Sequence, residues 1–209
     1  MILIVAAMDS EVRDLIINFK EKSLFNDKKY YYGTINNKNV LVLITGVGKT
    51  NASACLASLL MVENVVSIIN VGFVGAKGNF EIGEVVLVEK TIYGDVDVTP
   101  FTNYELGQIP KMPKYFKSDE ITFKEFNKTI NKTAALKTQD KFVLKTSEDN
   151  LIFDMEGASF YHVSHLFNKP IIAIKVVSDL IGKESQLENY LEFEKNSSNI
   201  IKEIIYKVI

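Results

Sequence analysis

The sequence predicts an α/β fold in which a mixed, largely parallel sheet is covered by helices on both faces. Three observations carry that expectation. Apolar runs of strand length alternate with stretches of helical periodicity along the chain. Most of those runs are apolar at every position, as in strands buried on both faces. The 209 residues suit one domain, 1–209, and no repeat, low-complexity tract or linker divides them.

The elements follow in order. Ile2 to Ala7 is a short apolar run and reads as a first strand. Asp9 or Ser10 can cap the helix that follows, which opens on Glu11-Val-Arg-Asp-Leu15. Lys29 to Tyr32 and Val40 to Ile44 flank Asn36-Asn37-Lys38 as a hairpin-like pair. Gly46-Val-Gly-Lys49 is a tight turn, and Thr50 to Met61 is a helix. Val65 to Val71 is a strand ending in Gly72, and Val85 to Glu89 is another after a turn at Gly83. Helical spacing returns around Ser118 to Asn131, and Lys141 to Lys145 reads as a strand. Gly157 to Phe167 is helical, Ile171 to Val177 is a β-branched strand, and Leu187 to Ile209 is a final amphipathic helix.

Composition removes several classes of function. With 24 basic and 26 acidic side chains the net charge is −2, so neither nucleic acid nor a membrane surface is an expected partner. The N-terminal apolar run lacks the basic flank of a signal peptide and falls far short of the roughly 20 residues that span a bilayer. The lone Cys55 cannot form an internal disulfide; it reads as a small buried hydrophobe in a cytoplasmic, reducing setting. Gly46-Val-Gly-Lys-Thr50 resembles the end of a phosphate-binding P-loop, but Leu43 stands where that motif needs its first glycine. No G-x-G-x-x-G dinucleotide fingerprint and no G-x-S-x-G elbow occurs. His162 and His165 lie three apart on a helix with no accompanying ligand pattern, so they read as packing or surface residues. No metal and no cofactor is expected.

Three acids occupy more telling places. Glu11 follows the first strand, Asp154-Met-Glu-Gly157 precedes a helix, and Ser178-Asp179 lies just past an apolar strand. Ligands of open α/β sheets bind at the carboxyl ends of strands, which is where such acids would meet. A helix-capping role is the alternative for each acid taken alone.

The words around those acids settle which role to expect. Met8-Asp-Ser-Glu-Val12, Thr45-Gly-Val-Gly-Lys49, Asn70-Val-Gly72, Asp95-Val-Asp-Val-Thr99, Gly107-Gln-Ile-Pro110, Asp154-Met-Glu-Gly157 and Val177-Ser-Asp179 occur in this order. Together they resemble the 5′-methylthioadenosine/S-adenosylhomocysteine nucleosidases of the nucleoside phosphorylase superfamily, over almost the whole chain. Aminodeoxyfutalosine nucleosidases share the same words.

The resemblance implies a three-layer nucleoside phosphorylase-like fold and hydrolysis of the N-glycosidic bond of a 5′-modified purine nucleoside. Asp179 matches the general acid that protonates the leaving base at N7, with Ser178 holding its carboxyl. Glu11 matches the base that activates water. Glu156 matches the residue that binds ribose hydroxyls, with Met155 packed on the sugar. Met8, Val47 and Phe73 match pocket wall, and Tyr190 matches an aromatic over the 5′ group. Phe101, Tyr104 and Pro110 match a segment that reaches a neighbouring subunit, which implies a homodimer. Phosphate-using relatives carry an arginine near Val71-Gly72; Asn70-Val71 stand here, so water is the expected nucleophile.

Two departures are evident. Phe73 replaces a small residue. The stretch Thr146 to Phe153 is shorter than the family's by about one helix and lacks its turn glycine, so Phe153 or Ile152 is the expected substitute wall for the base. The alternative functions are a purine nucleoside phosphorylase-like enzyme with another substrate, or a nucleoside-binding protein without turnover.

Overall fold

The computed structural model describes residues 1–101 and 103–209. Among them are ten strands: β1 (Ile2–Ala6), β2 (Lys20–Phe25), β3 (Lys28–Ile35), β4 (Lys38–Ile44), β5 (Ser67–Lys77), β6 (Val85–Tyr93), β7 (Phe116–Lys117), β8 (Thr133–Thr138), β9 (Leu151–Asp154) and β10 (Ile171–Leu180). The helices are α1 (Asp9–Ile16), α2 (Lys49–Val62), α3 (Glu120–Phe126), α4 (Gly157–Leu166), α5 (Gln186–Asn196) and α6 (Ser198–Val208).

The strands form one mixed sheet in the order β10-β6-β8-β9-β5-β1-β4-β3-β2, with β7 on β6. β1 runs parallel to β4 and β5, and β5 parallel to β10. β10 also pairs with both β5 and β6, so β10, β6, β8, β9 and β5 close into a ring. β3 and β4 are joined by Asn36 and Asn37, which both take positive φ, as a tight hairpin turn requires.

Helices cover both faces. Leu3, Val5, Leu41 and Leu43 pack beneath Ala52, Leu56 and Leu59 of α2 and Tyr161 of α4. The alternate residues Ile4, Ala6, Val40 and Val42 pack against Val12 and Leu15 of α1 and Ile201 and Ile205 of α6. The period-two alternation of each strand thus feeds two separate apolar layers. Cys55 is buried among them, as expected, with its thiol toward the Thr45 carbonyl at 3.5 Å.

Several expected elements are corrected. The strand expected at Lys141–Lys145 is β8, eight residues earlier at Thr133–Thr138, and 141–145 is irregular. The final helix is two helices, broken at Ser197. β2, β7 and β9 were not foreseen: β2 is exposed at its first four positions, three of them charged, and the other two are very short. β10 extends through Ser178 and Asp179 instead of stopping at Val177.

Candidate active site

A cleft of about 580 Å³, open to solvent, lies over the loops after β1, β4, β8 and β9 and the ends of β5 and β10. It is lined by Met8, Glu11, Val47, Phe73, Phe153, Met155, Glu156, Ser178, Asp179 and Tyr190, among others. Every one of those was expected at the site. Phe101 and Pro110 are exposed and, with Tyr104, do not line this chain's cleft.

Glu11 sits in the first turn of α1 but points back beneath it. Its Oε2 accepts from the backbone N–H groups of Ala7 and Met8, both at 2.9 Å, and its Oε1 accepts from Phe73 N–H at 3.0 Å. Met8 is the N-cap residue, which corrects the expectation of a cap from Asp9 or Ser10. Burial raises the Glu11 pKa, while the nearby Lys175 charge and the three N–H donors oppose the rise. Gly72 makes this approach possible: a Cβ there would lie 2.7 Å from Glu11 Oε1 and 3.2 Å from Lys175 Nζ.

Glu156 stands at the start of α4, yet it does not cap that helix. Asp154 accepts from Gly157 N–H at 2.9 Å, and Ala158 N–H donates to the Thr138 hydroxyl at 2.8 Å. With those donors satisfied, Glu156 turns into the cleft and accepts from Gly48 N–H at 2.7 Å. Gly48 has φ 97°, a conformation that favours glycine and aims its N–H away from α2. Burial, then the Asp154 charge, push the Glu156 pKa up to about 8.

Asp179 is aimed by a β-bulge. Val177 pairs with Val74 and Asp179 with Gly75, so Ser178 is the extra residue and the alternation of side chains is reset. Ser178 donates to Asp179 Oδ1 at 2.6 Å, and Gln186 Nε2 donates to Oδ2 at 2.8 Å. Burial raises the Asp179 pKa, and both hydrogen bonds work against the rise.

The rest of the wall was partly missed. Phe142 and Val143, from the segment expected to be a strand, line the cleft, and Phe142 meets Tyr190 edge-on at 5.4 Å. The wall is therefore built ahead of Thr146, not only from Ile152 and Phe153 as expected. Of those two, Phe153 lines the cleft; Ile152 is buried in the α2/α4 layer. Tyr190 also donates to Met8 Sδ at 3.7 Å, and burial raises its phenol pKa. Phe73 packs edge-on against Phe193 at 5.2 Å, and its backbone N–H is the one that Glu11 accepts.

Lys175 and Asp154 were not among the residues expected to line the site. They form a fully buried pair at 3.0 Å, with Asp154 Oδ1 accepting from Thr138 at 2.5 Å. A lysine inside the run Ile-Ile-Ala-Ile-Lys-Val-Val177 was the signal that could have found them. Gln186 gave no signal, being a polar residue at the start of a polar helix.

Other motifs resolve differently. His162 stacks on Phe116 at 5.0 Å and lies 3.1 Å from the Tyr93 hydroxyl. Among the described residues no cluster of His, Cys, Asp and Glu is arranged to hold a metal. Lys49 pairs with Asp95 at 2.6 Å, and Asp140 accepts from Lys49 N–H, which joins three loops at the cleft rim. None of the described helices is long and apolar enough to cross a membrane.

Sequence and structure comparisons set the chain beside known proteins. The phosphorylase superfamily profile matches residues 1–124 and 127–209. The 5′-methylthioadenosine/S-adenosylhomocysteine nucleosidase of Staphylococcus haemolyticus is 31% identical, over 98% of this chain and 99% of its own. That of Listeria welshimeri is 30% identical over 97% of each. A Borrelia burgdorferi protein solved with bound adenine superposes with a TM-score of 0.92 at 30% identity, covering 100% of this chain and 98% of its own. The Streptococcus pneumoniae nucleosidase, solved with a transition-state inhibitor, gives 0.91 at 26% identity, covering 99% and 97%. With full-length matches in sequence and fold, the chain belongs to the phosphorylase superfamily and, within it, to the 5′-methylthioadenosine/S-adenosylhomocysteine nucleosidase family.

Proposed function

We propose that this chain hydrolyses the C1′–N9 bond of 5′-modified adenine nucleosides, with 5′-methylthioadenosine and S-adenosylhomocysteine as substrates. The observation that carries the reading is the convergence of Glu11, Glu156 and Asp179 on one cleft, each buried and each with a raised pKa. Family membership supports it.

Bond cleavage leaves a cationic ribose and an anionic purine. Asp179, whose pKa burial raises, gives its proton to N7 of the departing base. The Ser178 hydroxyl then donates to the carboxylate that remains. Glu11 takes a proton from the attacking water; the Lys175 charge favours its ionised form. Glu156 receives the ribose hydroxyls, and in its ionised form its charge favours the oxocarbenium-like sugar. Acid and base on opposite sides of the bond, with water between, follow the logic of an inverting glycosidase. Met8, Val47, Phe73 and Met155 surround the sugar, Phe142, Val143 and Phe153 flank the base, and Tyr190 lies toward the 5′ group.

Water is the nucleophile in this reading. A phosphate dianion needs cationic donors. The sole arginine, Arg13, is bonded to the Lys195 carbonyl, and Lys175 is taken by Asp154, which leaves Lys141 as the one cleft-lining cation among the described residues. Phe101 and Leu106 are exposed apolar residues on the segment that also carries Tyr104 and Pro110. This supports a homodimer in which that segment closes the partner's 5′ pocket. The enzyme would then serve methionine salvage.

One assay tests the function. Chromatography follows free adenine released from either nucleoside, with and without phosphate. Phosphate-independent release that Asp179→Asn and Glu11→Gln abolish is the expected result; release only with phosphate sinks it.

A further inference from the structure

We infer that Gln186 is a positioning residue for proton transfer, fixing the Asp179 carboxyl and tying it to the base-facing loop. The inference rests on the role proposed above for Asp179. Gln186 is buried, 3% exposed, at the start of α5. Its Nε2 spans two acceptors, Asp179 Oδ2 at 2.8 Å and the Val143 carbonyl at 2.7 Å. Its Oε1 accepts from Gly182 N–H at 3.1 Å. That third contact determines the amide's orientation. A flipped amide would set Oε1 against two acceptors and Nε2 against a donor.

The orientation has a chemical consequence. When Asp179 gives its proton to N7 of the base, its O–H bond breaks, an N–H bond forms on the purine, and the carboxyl becomes a carboxylate. The Gln186 N–H then faces a charged oxygen and its hydrogen bond strengthens. Ser178 does the same at Oδ1. Both oxygens of the carboxyl are thus held, Oδ2 by Gln186 and Oδ1 by Ser178. Meanwhile the second N–H holds Val143, in a segment without regular structure, at a set distance from the acid. Acid and base wall therefore move as one unit.

The test uses steady-state kinetics on 5′-methylthioadenosine with the full-length protein, alongside thermal melts to confirm folding. Gln186→Met keeps the length and removes the donor. It is expected to lower kcat about 10- to 100-fold, the loss of a hydrogen bond to a charged group, while KM changes by less than about threefold. Gln186→Glu keeps the Oε1 contact with Gly182 but turns an acceptor toward Oδ2 and the Val143 carbonyl. It is expected to lose more than the Met variant. A merely structural role predicts the reverse order, since Glu is the closer match in shape. A kcat for Gln186→Met within about twofold of wild type, or Gln186→Glu more active than Gln186→Met, overturns the inference. Asp179→Asn is measured beside them: if that variant keeps wild-type turnover, the acid assignment itself has failed, whatever Gln186 does.

Discussion

Replacing Lys175 by Met separates the electrostatics of the cleft from its shape. Lys175 and Asp154 lie 3.0 Å apart with side-chain exposures of 3% and 2%. Removing one member of such a pair typically costs about 3–5 kcal/mol, because it leaves a buried charge uncompensated. Asp154 keeps its bonds from Thr138 and Gly157, which places the expected loss near the lower end, about 3 kcal/mol. For a chain of this size each kcal/mol lowers Tm by roughly 2–4 °C, so the variant should melt about 6–12 °C below wild type. The same lysine lowers the pKa of both Glu11 and Glu156. Without it both carboxyls bind their protons more tightly. Glu11 must be ionised to act as a base, so the acidic limb of the rate profile should move to higher pH. Circular-dichroism melts and a pH series of adenine release measure the two effects. A Tm within about 2 °C of wild type, together with an unmoved acidic limb, would refute the reasoning.

Four further outcomes are expected. Asp179→Asn should fold normally and lose about 10²–10⁴-fold in turnover, read as initial rates of adenine release. Gly72→Ala should lose activity out of proportion to stability, because the added methyl displaces the Glu11 carboxylate; comparing kcat/KM with Tm checks this. Phe73→Ala should destabilise by about 3 kcal/mol through the lost contact with Phe193, measured by urea unfolding, while turnover survives because Glu11 uses the backbone N–H. Finally, the pKa of Glu156 rises from 4.5 to about 8 on folding. A raised acid pKa contributes stability that is complete below the unfolded value and is lost as pH rises through the folded one. The Tm of the ligand-free protein should therefore decline from near pH 5 to near pH 8, and Glu156→Gln should flatten that decline.

What the sequence revealed followed how local each feature is. Strands buried on both faces, such as β1 and β10, announce themselves as unbroken apolar runs. The acids are legible because each is embedded in a short family word. β8 was misplaced because Thr-Ala-Ala-Leu-Lys-Thr138 is weakly apolar, whereas Lys-Phe-Val-Leu-Lys145 carries three consecutive apolar residues, as a short buried strand would, while serving as irregular cleft wall. The break at Ser197 is marked only by the polar cluster Asn196-Ser-Ser-Asn199, which the apolar periodicity on both sides of it masks. Most of the site's support is long-range: Lys175 with Asp154, Gly48 with Glu156, Gln186 with Val143. Pairings of that kind depend on how strands are ordered, and no stretch of sequence contains that ordering.

The ring formed by β10, β6, β8, β9 and β5 bears on the protein's behaviour in crowded solution. A strand whose backbone is bonded on both sides offers no template to another chain. Closure gives five of the ten strands that protection, including β5 and β10, which carry the acid and its partner glycine. At the far end the sheet stops at β2, where Lys20, Glu21 and Lys22 stand exposed in succession. A charged terminal strand disfavours edge-to-edge stacking. The apolar strands that build the cleft are thus kept away from the one long border where copies could add to each other.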